Sequence, residues 1–144
     1  MRRRTKAREC IIQILYQYDI TNDPIDKILD QFWKDKNHSP LIKNFAIEIV
    51  KGTIDKLAEI DSLISEYSEN WTIDRMPVVD RNILRFSIYE LLYRDDIPPR
   101  VTIDESIDLS NKFSTPNSGK FVNGILDKIM YLCEKKVKLS CKKA

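Results

Sequence analysis

Residues 77–92 have the sequence PVVDRNILRFSIYELL, which indicates an all-α fold most clearly. Its apolar residues recur at spacings of three and four, which is the period of an α-helix. They cover more than one face of that helix, as expected for a helix buried on most of its sides. Pro77 suits the start of a helix, where its missing N–H is not needed. The stretch therefore predicts a central helix that other helices surround.

The same helical period extends towards the N-terminus. A first helix, beginning near Arg4, is predicted to stop in the polar stretch 21–23. Asp23 is predicted to cap a second helix that has Pro24 at its first position and ends near Asn37. Aspartate is a favoured cap because its carboxylate accepts hydrogen bonds from the free N–H groups of the first turn.

The third predicted helix is the longest. Ser39 and Pro40 repeat the start signal, and the apolar period then runs from Ile42 to Tyr67. Gly52 lies inside this helix, where a glycine costs about 1 kcal/mol relative to alanine. Close approach of a neighbouring helix would explain the glycine, and a mild bend is the alternative.

Two more helices are predicted beyond the central one. Pro98 and Pro99 interrupt the apolar pattern, and residues 102–105, TIDE, match the capping box that starts a helix through about Phe113. After the polar residues 114–117, a last helix fades into a lysine-rich end. With a short turn near residues 71–75, the sequence predicts six to seven helices.

These features predict one all-α domain over residues 1–144. The chain has only three glycines, lacks a Gly/Ser tract and shows no sustained apolar alternation typical of strands. A chain of this length buries about two-thirds of its unfolded surface, which suits one compact unit. Any subdivision would be into tightly packed lobes.

Charge is distributed unevenly along the chain. Residues 1–10 hold five bases and one acid, and residues 135–144 hold five lysines and no acid. Residues 11–134 have 14 bases against 21 acids, a net charge of −7. A basic arm on an acidic body predicts a local anion site and a surface suited to a basic partner. For the C-terminal lysines, a solvated tail is the alternative.

The sequence offers little for catalysis or metal binding. The single histidine, His38, lies in a polar loop, and the three cysteines lack metal-site spacing. We expect no enzymatic activity, no cofactor, no zinc site and no disulfide framework, which fits a reducing cytoplasm. No run of about 20 apolar residues is present, and the N-terminus does not resemble a signal peptide, so we expect no membrane association.

The N-terminal basic cluster is the first candidate site. Positive charge at a helix N-terminus opposes the helix dipole, so helix stability does not explain these residues. Arg4, Arg8, Ile12 and Tyr16 follow one another at spacings of four, which predicts guanidiniums and a ring on one side. Single-stranded RNA is bound by such cations and stacking rings. Packing of Tyr16 in the core is the alternative.

A second candidate site lies at the start of the last helix. Its residues are Asn117, Ser118, Gly119, Lys120 and Phe121. Free backbone N–H groups at a helix N-terminus bind anions, glycine permits close approach, and the lysine and ring add charge and a stacking surface. Phe121 in the core is the alternative.

Several ordered motifs resemble those of the NusB family of transcription antitermination factors. The resemblance runs from about residue 4 to residue 128, and its most specific block is FVNGILDK at 121–128. The other motifs are Arg8-Glu9-Cys10, Leu15-Tyr16, Ile83-Leu84-Arg85, Tyr89-Glu90-Leu91, Ile97-Pro98 and VTIDE at 101–105.

This resemblance implies an N-terminal lobe of about residues 1–70 and a C-terminal lobe of about 71–136, each of three helices. They would be joined through a long third helix and a buried fourth. It also implies pairing with the ribosomal protein NusE and binding of the single-stranded boxA element of nascent ribosomal RNA, within the antitermination complex of RNA polymerase. Some family members self-associate through the RNA face, so a homodimer is left open.

Particular residues are expected to fill these roles. Asp80 would belong to a NusE-binding surface on the C-terminal lobe, because its charge suits a basic protein. The residues expected to bind RNA are Arg2, Arg3, Arg4, Lys6, Arg8, Tyr16, Asn117, Ser118, Gly119, Lys120 and Phe121.

Two other functions fit parts of the sequence. A NusB-like RNA-binding lobe attached to ribosomal RNA cytosine methyltransferases shares the fold and the basic helix, but it predicts a catalytic domain that 144 residues leave no room for. A helical adaptor that binds only protein would leave the arginines solvated. RNA retention in the presence of the partner distinguishes the adaptor from the RNA-binding factor.

Overall fold

The structure is a computed structural model that describes residues 2–69 and 72–143, with the side-chain surroundings of residues 3–69 and 72–133. The described residues form seven α-helices and one 3-10 turn, and none of them lies in a strand. These elements are α1 (Arg2–Thr21), α2 (Ile25–Trp33), α3 (Pro40–Asp55), α4 (Leu57–Tyr67), the 3-10 turn (Ile73–Arg75), α5 (Val78–Tyr93), α6 (Pro99–Phe113) and α7 (Ser118–Lys143).

The central position predicted for α5 is confirmed. This helix contacts α1, α3, α4, α6 and α7. Its apolar residues Ile83, Leu84, Phe86 and Ile88 are fully buried. Polar residues of α5 are buried as well, and Ser87 meets the hydroxyl of Ser106 on α6. Burial on every side is why the apolar pattern of α5 covers more than one face.

The helix starts agree with the sequence only in part. The Ser39 hydroxyl accepts a hydrogen bond from the Ile42 N–H at 3.3 Å, as a capping serine should. The prediction for Asp23 is wrong, because Pro24 occupies the cap position and no side chain caps α2. The carbonyl of Pro24 instead accepts the first backbone hydrogen bond of the helix.

The prediction of one uninterrupted third helix is also wrong. The helix breaks at Lys56, which has φ −105° and ψ 18°, and α4 follows as a separate helix. Just before the break, the Thr53 hydroxyl donates to the carbonyl of Ile49 at 2.6 Å, a bond that bends helices. The change of direction lets α4 pack against α5 and α7, where Ile60 and Ile64 are fully buried.

The predicted capping box of α6 does not form. The helix begins at Pro99, so Thr102 lies within its first turn. The Thr102 hydroxyl donates to the buried carboxylate of Glu90 at 2.8 Å and thereby ties α6 to α5. By contrast, α7 begins at Ser118, directly after the polar stretch 114–117, as predicted.

The helices pack in two groups, whose buried side chains form the core. α1 contacts α2 and α3, while α5, α6 and α7 contact one another. The break at Lys56 separates α3 from α4, which contacts helices of the second group. The lobe boundary near residue 70 stays a prediction. No described helix is long and apolar enough to span a membrane.

Arg85 links three helices through charged hydrogen bonds. Its guanidinium donates to both oxygens of Asp61 on α4 at 2.9 Å and to Asp19 on α1 at 3.1 Å. Arg81 donates to the same oxygen of Asp19 at 2.6 Å. Burial alone would raise the pKa of Asp19, but the hydrogen bond from Arg81 and the charge of Arg85 outweigh it and lower the pKa.

We expect Gly52→Ala to destabilise the fold by about 1–3 kcal/mol. The ring of Tyr89 lies against the backbone of α3, and a Cβ at Gly52 would overlap it, which confirms the predicted close approach. Gly124→Ala is the matched control. A Cβ at Gly124 would have no side chain and no backbone of another helix within 4 Å. Urea denaturation should show loss of stability for the first variant and no loss for the control. Equal midpoints would contradict this packing.

The link between Asp19 and the two arginines should also make stability depend on pH. A lowered pKa in the folded state stabilises the fold above the unfolded value of about 3.9, and this contribution disappears as the pH falls through the folded value. Asp19→Asn should therefore be less stable than wild type at pH 7 by about 1–3 kcal/mol. The difference should shrink as the pH is lowered towards 3 in urea denaturation series. A difference that stays constant with pH would contradict the ionised link.

Candidate nucleic-acid interface

In the first turns of α1, some of the predicted RNA-binding residues are exposed and one is buried. Arg3, Arg4 and Lys6 are exposed, whereas the Arg8 side chain is 1% exposed. The predicted RNA contact of Arg8 is therefore contradicted, because its guanidinium lies inside the protein. The side chain of Arg2 lies outside the described residues.

The row from Arg4 to Tyr16 does not form one exposed side. Four residues advance a helix by slightly more than one turn, so the row winds around α1. It starts exposed at Arg4, is buried at Arg8 and Ile12, and emerges at Tyr16, which is 44% exposed. The alternative of Tyr16 in the core is wrong.

Arg8 forms a bidentate ion pair with Glu90 in the last turn of α5. Its Nε and Nη2 atoms donate to the two carboxylate oxygens at 3.0 and 2.7 Å, and the Glu90 side chain is fully buried. Thr102 donates to Glu90, and Glu105 lies 3.7 Å from the Arg8 guanidinium. These contacts fix α1 on α5 and α6, and thereby decide which residues of α1 face solvent.

The start of α7 is divided in the same way. Asn117 and Lys120 are exposed and Phe121 is half-buried, packed against the core. Ser118 is buried and donates to Asp80 at 2.9 Å. The predicted RNA contact of Ser118 is contradicted, because its hydroxyl holds the start of α7 on α5.

The same hydrogen bond contradicts the partner role of Asp80. Asp80 is 3% exposed, so its carboxylate cannot present charge to another protein. Its position in the first turn of α5 suggested a surface carboxylate, but tertiary packing of α7 covers it. Asp80 is a structural residue.

The last turn of α6 connects the two candidate sites. The Lys112 ammonium pairs with Glu9 of α1 at 2.7 Å, and the neighbouring Asn111 packs against buried Gly119 of α7. Phe113, which follows, is 40% exposed. Sequence reasoning treated Phe113 only as a helix end. A lysine and a ring just before the second candidate site were the signal that could have found this element.

The surface formed by α1, the end of α6 and the start of α7 is called the basic face. On α1, positions 6, 9, 13 and 16 are spaced by three and four residues and share the side on which Glu9 meets Lys112. Lysines that can pair with phosphates and rings that can stack on bases are thus exposed on three adjoining helices. The basic face consists of Lys6, Tyr16, Lys112, Phe113, Asn117, Lys120 and Phe121.

The Cys10 thiol is buried beside the partly buried His38. The Cys10 sulfur is 4.0 Å from His38 Nε2, and burial raises the pKa of the Cys10 thiol, which disfavours a reactive thiolate. Among residues that the structure describes, no group of three histidine, cysteine or acidic side chains could hold a metal ion. The basic face is thus the candidate site that the geometry supports.

An all-helical fold with cations and rings on one face defines a candidate nucleic-acid-binding protein. The NusB family model matches residues 5–131, so the chain belongs to the NusB family. The transcription antitermination protein NusB of Thermodesulfovibrio yellowstonii is 42% identical over 139 residues, covering 88% of this chain and 91% of the relative.

Solved structures show the same fold. The structure of T. maritima NusB has 41% sequence identity and a TM-score of 0.82, covering 89% of this chain and 90% of that one. A crystal structure of the antitermination factors NusB and NusE in complex with dsRNA has 28% identity and a TM-score of 0.83, covering 92% and 98%. The family resemblance and the all-α fold expected from the sequence are confirmed.

Removing one partner of the Arg8–Glu90 pair should leave a buried, unpaired charge. We expect Arg8→Ala or Glu90→Ala to destabilise the fold by about 3–5 kcal/mol, and the double variant Arg8→Met/Glu90→Leu to recover part of that loss. Glu66→Ala, on the exposed side of α4, should change stability by about 0.5 kcal/mol or less. The free energy of unfolding in urea measures each effect. Single variants as stable as Glu66→Ala would show that the pair does not hold α1.

Proposed function

We propose that this protein is a transcription antitermination factor that binds single-stranded, boxA-type RNA through the basic face, together with NusE. The observation that carries the proposal is the exposure of three lysines and two rings on adjoining helices: Lys6 and Tyr16 on α1, Lys112 and Phe113 on α6, and Lys120 on α7. The ion pair of Lys112 with Glu9 joins α6 to α1, and the packing of Asn111 on Gly119 joins α6 to α7. Such a surface on a NusB-family fold suits a strand whose phosphates pair with lysines and whose bases stack on rings.

The relatives support the same class of function. A NusB and NusE pair has been solved in complex with dsRNA, which supports RNA and NusE as partners here. Our preference for single-stranded RNA rests on the exposed rings, because only unpaired bases can stack on them. Action in the cytoplasm, within the antitermination complex of RNA polymerase, follows from this proposal.

The NusE-binding surface is proposed on the C-terminal lobe, without Asp80. Asp104 and Asp108 lie exposed along α6 and suit a basic ribosomal protein. Each protein would then contribute part of one RNA surface, so that binding is weak alone and tight in the heterodimer. Self-association through the basic face would compete with RNA.

The alternatives differ in what they predict for RNA. The chain matches 91% of the T. yellowstonii relative, which is a transcription antitermination protein, and this favours an antitermination factor over a methyltransferase. A protein-only adaptor would bind NusE without retaining RNA.

Fluorescence anisotropy with a boxA-type RNA and a scrambled control, with and without NusE, tests the proposal. If about three phosphates pair with Lys6, Lys112 and Lys120, the log–log salt slope should be about −2, or roughly twentyfold weaker binding between 50 and 200 mM salt. The triple variant Lys6→Ala/Lys112→Ala/Lys120→Ala should flatten the slope by about 2.

The matched control is Lys34→Ala/Lys43→Ala/Lys51→Ala, which removes the same charge from the groove between α2 and α3. Its RNA affinity and salt slope should stay close to those of wild type. Equal losses in both triple variants would mean non-specific attraction. Binding of NusE without any RNA signal would favour the adaptor.

A further inference from the structure

A cavity lies beside the first turn of α1, next to the basic face. It measures about 410 Å³ and lies where the starts of α1 and α3 meet the end of α5. Its volume falls within the range of small-ligand pockets, about 300–1,000 Å³. The cavity is lined by Arg3, Arg4, Leu41, Asn44, Phe45, Glu48 and Arg94.

Three guanidiniums converge on one ring at this cavity. Those of Arg4, Arg8 and Arg94 lie 4.6, 5.5 and 5.4 Å from the centre of Phe45. Each is attracted by the face of the ring, but like charges gathered so closely repel one another. Arg8 is compensated by Glu90, so the remaining charge lies towards the cavity.

The carboxylates around the cavity compensate only part of this charge. Arg94 donates to both oxygens of Asp96 at 2.8 and 2.9 Å and to Glu48 at 3.2 Å. The hydrogen bond to Asp96 raises the pKa of Arg94, and the hydrogen bond from Arg94 lowers the pKa of Asp96 to about 2, so this pair stays charged at neutral pH. Arg4 is 3.7 Å from Asp96.

Arg3 supplies the unmatched positive charge. Among the described residues, no carboxylate lies within ion-pair distance of its guanidinium, which is exposed at the mouth of the cavity. The cavity therefore has three arginines, Arg3, Arg4 and Arg94, and, in the part of the chain that the structure describes, only two acids near them, Glu48 and Asp96. An anion bound between Arg3 and Arg4 would balance the site.

The rest of the lining suits more than a simple anion. Leu41 is 62% exposed, which is high for a leucine, and offers an apolar surface. The Asn44 amide beside it is also exposed and offers both donor and acceptor groups. A phosphate, an apolar ring face and hydrogen-bonding edges occur together in a nucleotide.

We propose that this cavity binds one nucleotide of the RNA strand, just outside the segment held by the basic face. The inference rests on the proposed function and extends its RNA surface to α3 and α5. Arg3 and Lys6 are three residues apart on α1, so a strand leaving Lys6 reaches Arg3 by crossing the start of that helix. Arg3 and Arg4 bind the phosphate, and Leu41 and Asn44 contact the sugar and base.

The test compares a minimal boxA-type RNA with the same RNA extended by four uridines at each end. We expect the extended RNA to bind wild type about fivefold more tightly, equivalent to one added charged contact. Leu41→Glu and Asn44→Asp each add one negative charge at exposed positions and should abolish this gain, while affinity for the minimal RNA stays unchanged. Lys43→Gln, with the same change in charge on α3 but outside the cavity, should keep the gain.

Crosslinking locates the added nucleotides. With 4-thiouridine in the extensions, crosslinks should fall on the tryptic peptides of residues 37–43 or 44–51. Extended RNA that binds no more tightly, or crosslinks elsewhere, overturns the cavity site but leaves the proposed function standing. Loss of NusE binding instead of RNA binding in the two cavity variants would make the cavity a protein site and overturn the inference. Failure of the minimal RNA to bind defeats the proposed function itself.

Discussion

The structure depends on the buried ion pair between Arg8 and Glu90. A charge in the protein interior is tolerated only when a partner and hydrogen bonds replace water, and this pair has two direct hydrogen bonds and a third from Thr102. The pair fixes the rotation of α1 against α5. That rotation exposes Lys6 and Tyr16 on one side of the helix and turns Arg4 towards the ring of Phe45 on another.

The helices themselves were largely predictable, because their signals are local. The apolar period marked α5, Ser39 marked the start of α3, and an interior Gly52 indicated the approach of Tyr89. The predictions failed where tertiary contacts, which a local sequence pattern does not contain, determine the structure. Thr102 could have capped a helix but binds Glu90 instead, and nothing in the period shows that the chain turns at Lys56.

The position of the candidate site along the chain was predictable, but the burial of some of its residues was not. Spacing placed Arg8 near other cations, yet spacing does not say that a carboxylate 82 residues away holds it inside. Ser118 and Asp80 were both assigned to surfaces, although they bind each other in the interior. Conversely, Lys112 and Phe113 entered the basic face only through the packing of α6 between α1 and α7.

RNA should bind on the basic face while the ion pair between Arg8 and Glu90 stays intact. Amide chemical shifts during titration of the NusE complex with a boxA-type RNA test this most directly. We expect shifts at Lys6, Tyr16, Lys112, Phe113 and residues 117–121, with Glu90 largely unchanged. Shifts confined to the α2–α3 groove, or none on saturation with RNA, would contradict this expectation.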